Sequence, residues 1–206
     1  MVRFRLVVRG VSPVIVRTLV VPVSASLQLL HEALLVVFDW SGECLHEFVI
    51  RGVGYSSEWL VNGIDTRSTT LDSLGLRLGE RLVWRYDFLA DWVIDLRVEA
   101  VTPSDDAGAR VVCSSGRRAG PPEWCRGVAE FFRWEDAHSV GEVLECVDEL
   151  RTGVDQFGAP VMRDGLVERL EALLVWAQRD RFEQAVVNRR LTALEVDSCV
   201  SSCRSG

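Results

Sequence analysis

Two runs of strict alternation constrain this chain most. In residues 81–88, Leu82, Trp84, Tyr86 and Phe88 fall on one side, with Arg81, Arg85 and Asp87 on the other. In residues 91–99, Trp92, Ile94, Leu96 and Val98 oppose Asp91, Asp95, Arg97 and Glu99. A period of two sends successive side chains to opposite faces of a strand, so each run is a strand with one core face and one wet face. Leu89-Ala90 sits at the junction, and the two strands are read as a hairpin. The alternating charges of the wet faces read as a solvated surface with cross-strand pairs. A hard-cation or two-carboxylate site on Asp87, Asp91 and Asp95 is the competing reading.

The N-terminus repeats the pattern. Val2, Phe4, Leu6 and Val8 alternate with Arg3, Arg5 and Arg9, Gly10 to Pro13 makes a turn, and the β-branched stretch 14–21 is the returning strand, ended by Pro22. The period then changes. Leu27, Leu30, Leu34, Val37 and Phe38 lie on one helical face, and Ser24 or Ser26 stands where an N-cap belongs. Ser41-Gly42 closes that helix, and His46 to Arg51 reads as a third strand. Residues 52–80 are mixed, with turns at Asn62-Gly63 and Gly79 and a short helix near Thr70–Leu74. Residues 103–138 show little periodicity. Helices are expected over 140–151, around Leu166, Leu170, Leu173, Leu174 and Ala177, and from Arg181 to Leu194; Gly153 to Pro160 reads as a linker. The expected fold is α+β, a largely antiparallel sheet with packed helices. It comprises a main domain over 1–138, a helical C-terminal extension over 139–195, and a frayed tail over 196–206.

Composition sets outer bounds. A chain of 206 residues, 48% of them apolar, buries roughly 70% of its unfolded surface and needs no metal or disulfide to fold. The net charge of −7 argues against a whole-chain nucleic-acid binder, so nucleic acid is not the expected partner. Every Lys or Arg position is Arg, which codon bias explains as well as any selection for anion contacts. No apolar run is long enough to span a membrane and the charged N-terminus is not a signal peptide, so the expected compartment is the cytoplasm and no membrane partner is expected. There the six cysteines are expected to be mostly reduced.

Four segments together carry a family likeness: the strand–strand–helix opening that ends Val37-Phe38-Asp39-Trp40; Leu45-His46-Glu47-Phe48; Tyr86-Asp87-Phe88 with Asp91-Trp92; and Cys113, Gly116, then Ala119-Gly120-Pro121-Pro122-Glu123 with Cys125. In this order and spacing, over about residues 2–135, the chain resembles the plasmid pRiA-type open-reading-frame-three-like family, some members of which are labelled transposon-passenger resolvase-like. The resemblance implies an α+β fold with an antiparallel sheet, a link to mobile elements, and little about activity. The chain departs from the family pattern at telling places. Leu89 and Ala90 stand where Gly and Asp are usual, and Ile94 where His is usual. Gly120 stands for the first Cys of Ala-Cys-Pro-Pro-Glu-Asp-Cys-Gly-Gly, Trp124 for its Asp, and Arg126 for its first closing Gly. Ile94 shares its strand face with Trp92 and Leu96, so a typical member aims an imidazole inward there as well as at 46. If such members have a catalytic site, this chain's is impaired.

The candidate site residues are therefore His46, Asp87, Trp92, Cys113, Glu123 and Cys125. Asp87 has a competing role as a turn former, and the two prolines before Glu123 fix the backbone that carries it. Cys44, His46, Cys113 and Cys125 form a permitted Cys₃His zinc set. The close Cys pair of zinc ribbons is missing, so buried thiols and a core histidine are the favoured reading. Cys199 and Cys203 read as exposed thiols. Arg110, Arg117, Arg118 and Arg126 crowd one stretch, and nucleic-acid binding through phosphate contacts of this Arg-rich loop is the weaker alternative function. His31 lies near the apolar stripe of the first helix, and His138 in polar sequence. No phosphate loop, dinucleotide fingerprint, nucleophile elbow or zincin motif is present. The primary expectation is a non-catalytic binding or interaction protein with an unidentified protein partner; the alternative is a metal protein or enzyme with a degenerate polar site.

Overall fold

A computed structural model describes residues 1–56, 64–102, 109–152 and 165–203, with side chains described to Leu194 except at Thr152. The turn expected at Asn62-Gly63 and the linker over 153–160 lie outside the described residues. The strands are β1 (Val2–Val8), β2 (Val16–Val21), β3 (His46–Ile50), β4 (Val53–Tyr55), β5 (Arg81–Tyr86), β6 (Trp92–Val101) and β7 (Val112–Arg117). The helices are α1 (Leu27–Phe38), α2 (Leu71–Leu74), α3 (Val128–Ala137), α4 (Val140–Thr152), α5 (Leu166–Ala177) and α6 (Gln184–Cys203). The strands form one sheet in the order β4-β3-β5-β6-β1-β2-β7, and every neighbouring pair is antiparallel. The fold is α+β, with a helical C-terminal region.

The alternating runs place themselves as their period requires. Phe4, Leu6, Leu19, Phe48, Leu82, Trp84, Ile94 and Leu96 are all fully buried on one face. The charged partners of that alternation emerge on the other face, where Arg3 meets Glu99, Arg9 meets Asp95 and Arg85 meets Asp91. The solvated-face reading of the Asp91 and Asp95 positions therefore holds for these pairs. Helix α1 lays its stripe on the core face. It is capped by Ser26, whose Oγ accepts from the Leu29 amide at 3.1 Å, and ends at Asp39 in left-handed conformation (φ 62°).

One buried cation ties this framework together. Arg17 of β2 points inward and is 1% exposed. It donates to the carbonyls of Val37 at 2.9 Å, Val16 at 2.8 Å and Arg117 at 2.9 Å, with Phe182 4.2 Å above the guanidinium carbon. The Val37 carbonyl, at the negative end of α1, suits a cation, and burial lowers the Arg17 pKa to about 10.

Four elements depart from the sequence reading. The aperiodic stretch 103–138 contains β7 and α3. The run Val112–Arg117 has almost no apolar residues to alternate, because an edge strand is held by backbone pairing, here to β2. The short β4 was likewise invisible; it is the return of a hairpin turning at Arg51-Gly52, both with positive φ. The last helix does not end near Leu194: α6 starts at Gln184 and continues through Cys199 to Cys203. Leu191 of α6 and Trp176 of α5 are buried in the main core, so the C-terminal helices complete it. Cys146, Leu166 and Leu173 form a smaller cluster between α4 and α5.

Candidate functional site

The strand register assembles most of the candidate residues at one end of β3, β5 and β6. Tyr86 is the cross-strand partner of His46 on one side and of Trp92 on the other. Trp40, just after α1, stacks on Tyr86 with ring centroids 5.0 Å apart and planes 12° apart, and lies within 5.8 Å of Trp84 and 5.9 Å of Trp92. Its indole N–H donates to the Pro121 carbonyl at 2.8 Å. The Pro-Pro-Glu segment is thereby docked on the aromatic cluster.

Glu123 closes the arrangement. Its carboxylate accepts from the Ser41 amide at 2.7 Å, the Ser41 hydroxyl at 2.9 Å and the Tyr86 hydroxyl at 2.5 Å. The Tyr86 oxygen in turn accepts from the amides of Gly42 at 3.1 Å and Cys44 at 3.4 Å. Burial, followed by the Glu123 carboxylate, pushes the Tyr86 pKa well above the usual phenol range. The phenol stays protonated and donates to Glu123. Chemically this is a clasp joining three separate segments.

Asp87 serves the turn. It adopts φ 52°, its Oδ1 accepts from the amides of Leu89 at 3.0 Å and Ala90 at 3.3 Å, and its carbonyl accepts from the Asp91 amide. This is the Asx geometry that favours Asp in tight turns. Leu89 projects outward, 97% exposed, while Ala90 is buried.

His46 finds an imidazole neighbour that the sequence reading did not pair with it. His31 of α1 lies flat on His46, ring centroids 3.4 Å apart. Burial drives His31 down to about 3, with His46 adding to the effect, and drives His46 down to about 4. Both rings are neutral at ordinary pH. The signal was present: His31 stands four residues after Leu27 and three before Leu34, on the helix's core face. Ile94 does face the same side as His46, but it pairs with Trp84, so β5 stands between the two positions. Trp40, Ser41 and Tyr86 are the other members of the cluster that were not singled out as site residues. Trp40 and Tyr86 lie in the motif segments, but their meeting depends on the fold.

Cys113 does not join the cluster. Cys113 is on β7, next to Arg17, and four strands separate β7 from β3. At about 4.8 Å per strand this places it on the order of 24 Å from His46. Cys125 is buried, and burial with Glu130 and Glu135 pushes its thiol up to about 12, whereas the carboxylates that act on Cys44 are Asp87 and Glu123. Among the described residues no group of three His, Cys, Asp or Glu side chains converges where one metal ion would be held. The arginine-rich stretch is also divided. Arg118 is buried, with Glu135, Asp180 and the Pro13 carbonyl as partners, while Arg110, Arg117 and Arg126 are exposed. The remaining departures sit at the surface or in close packing. Trp124 is 57% exposed and meets Trp134 edge-on, and Gly120 abuts the Phe38 backbone. No helix among the described residues is long and apolar enough to cross a membrane.

Comparisons with known proteins agree with the motif likeness. The family model described as plasmid pRiA4b ORF-3-like protein matches residues 1–147. An uncharacterised protein, y4hQ, from Sinorhizobium fredii is 32% identical, with 77% of this chain and 92% of the relative covered. The fold is similar to that of a crystal structure of a protein of unknown function, MM3350, from Methanosarcina mazei Go1. That match has a TM-score of 0.66 at 21% identity and covers 89% of this chain and 95% of that one. The chain belongs to the plasmid pRiA4b ORF-3-like protein family.

Proposed function

We propose that this protein is a non-catalytic binding protein, and that its inward polar cluster is a structural clasp. The observation that carries this reading is the occupancy of Glu123, whose two oxygens already accept three hydrogen bonds from Ser41 and Tyr86. A general base needs a free lone pair aimed at a substrate proton, and Glu123 has three of its roughly four acceptor sites directed at its own fold. The other polar candidates support the same reading. Asp87 holds a turn, and the two histidines face each other in the core. The polar side chains usual in the family at positions 90, 94 and 120 are absent from this sequence. A family named for a plasmid reading frame supports an association with mobile elements.

The test is turnover. The full chain is assayed against a broad panel of ester, phosphoester, amide and glycoside substrates, with and without added divalent metal. The expected result is hydrolysis no faster than buffer. Turnover that survives purification and disappears in Glu123→Gln would overturn the proposal and make the clasp an active site.

A further inference from the structure

The open face of the sheet carries a charge row that its ion pairs do not absorb. Arg97 of β6 is the direct cross-strand partner of Arg5 on β1 and of Arg81 on β5. Three cationic side chains thus stand abreast over two strand spacings, about 10 Å, and all three are exposed. The neighbouring arginines of this face have carboxylates: Arg3 has Glu99, Arg9 has Asp95 and Arg85 has Asp91. Among the described residues Arg5, Arg81 and Arg97 have none. They line one open cleft of about 240 Å³ together with Val7, Asp95 and Leu96.

Like charges directly opposite one another destabilise an antiparallel pair. A chain with 30 acidic residues against 23 basic ones has carboxylates to spare, and the flanking positions use them. The row without them is a place where an external anion relieves the repulsion. The guanidinium fork matches a phosphate bidentately.

The geometry points to the sugar–phosphate backbone of a nucleic acid as the occupant. β1, β5 and β6 are interior strands with neighbours on both sides, so an acidic peptide lying here gains no backbone hydrogen bonds and cannot add as a strand. Backbone phosphates need only side-chain cations. The row contains no aromatic side chain for a base to stack on, so binding is independent of base sequence. The negative net charge is a property of the whole chain, whereas contact is made by one face. This inference names a partner chemistry for the binding role proposed above and rests on that reading, through the sheet face opposite the Tyr86–Glu123 clasp.

The experiment is fluorescence anisotropy of a labelled single-stranded oligonucleotide of mixed sequence with the full chain, titrated with salt. The expected result is binding at low ionic strength, with log Kobs falling against log salt at a slope of about −2, from three contacts at about 0.7 each. Arg97→Gln lowers affinity severalfold and flattens the slope by about a third. The triple variant Arg5→Gln, Arg81→Gln, Arg97→Gln binds no oligonucleotide. Free Arg97→Gln melts no lower than the parent, because it removes repulsion, which separates lost binding from lost folding. No anisotropy change at low salt, a slope unchanged in the triple variant, or polyglutamate competing as well as an oligonucleotide of equal charge would each overturn the inference. Those failures leave the turnover assay untouched, and turnover would sink the non-catalytic reading without altering the salt slope.

Discussion

The imidazole of His31, on α1, lies parallel to that of His46, on β3, with centroids 3.4 Å apart and planes 5° apart. The pair joins helix to sheet at the edge of an aromatic cluster formed with Trp84, Tyr86 and Phe48. Two neutral rings stack there; two cations at that separation would repel strongly in a dry environment.

Burial of the two rings makes stability depend on pH. The unfolded chain takes up protons on both histidines below about pH 6.5, whereas the folded chain holds their pKa values at about 3 and about 4. Stability is therefore full above pH 6.5 and falls as pH drops through that value toward 4. The loss at pH 5 is at most about 2 kcal/mol per histidine. Urea unfolding across pH 5 to 7 measures it, and replacing both residues by Leu is expected to flatten the slope. An unchanged slope in that double variant would place the pH dependence elsewhere.

The clasp is expected to be a coupled pair. Glu123→Ala leaves the Tyr86 hydroxyl without its acceptor, and Tyr86→Phe leaves Glu123 with only Ser41. Each single change costs about 1–2 kcal/mol, and the double variant costs less than the sum by about 1 kcal/mol. A double-mutant cycle in urea decides this; strict additivity would mean that the short bond contributes nothing.

Gly120 is expected to resist the residue usual in its family. A Cβ built at this position falls inside van der Waals contact of the Phe38 carbonyl oxygen, a backbone atom held in the last turn of α1. Gly120→Cys should therefore destabilise the fold by about 2–3 kcal/mol through overpacking, read as a lower melting temperature. A variant as stable as the parent would show that the loop shifts freely.

The thiols should behave as packing rather than as ligands. Cys113, Cys125 and Cys146 are fully buried and Cys44 is half-buried. In a Cys199→Ser, Cys203→Ser background, native-state labelling is expected to modify Cys44 first and the others only on unfolding. Protein purified without chelators should hold far less than stoichiometric zinc by mass spectrometry. Stoichiometric zinc released by labelling Cys44 would reverse both expectations.

The alternating runs around Phe4, Trp84 and Ile94 and the helical stripe through Leu27 and Leu34 were legible in the sequence, because their periods report one buried face each. The cap, as one of Ser24 and Ser26, and the turn role, as one of two readings of Asp87, were legible too, since both are satisfied by atoms only a few residues away. β7 was not, because an edge strand is specified by the neighbour it pairs with, and Val112–Arg117 has no apolar face of its own. The stack of His31 on His46, the closure of Ser41 and Tyr86 by Glu123, and the row Arg5-Arg97-Arg81 all depend on which strands become neighbours and in what register. Local chain chemistry therefore determined the elements and their inward faces. Strand order and register, fixed by burying those faces together, decided which polar groups meet.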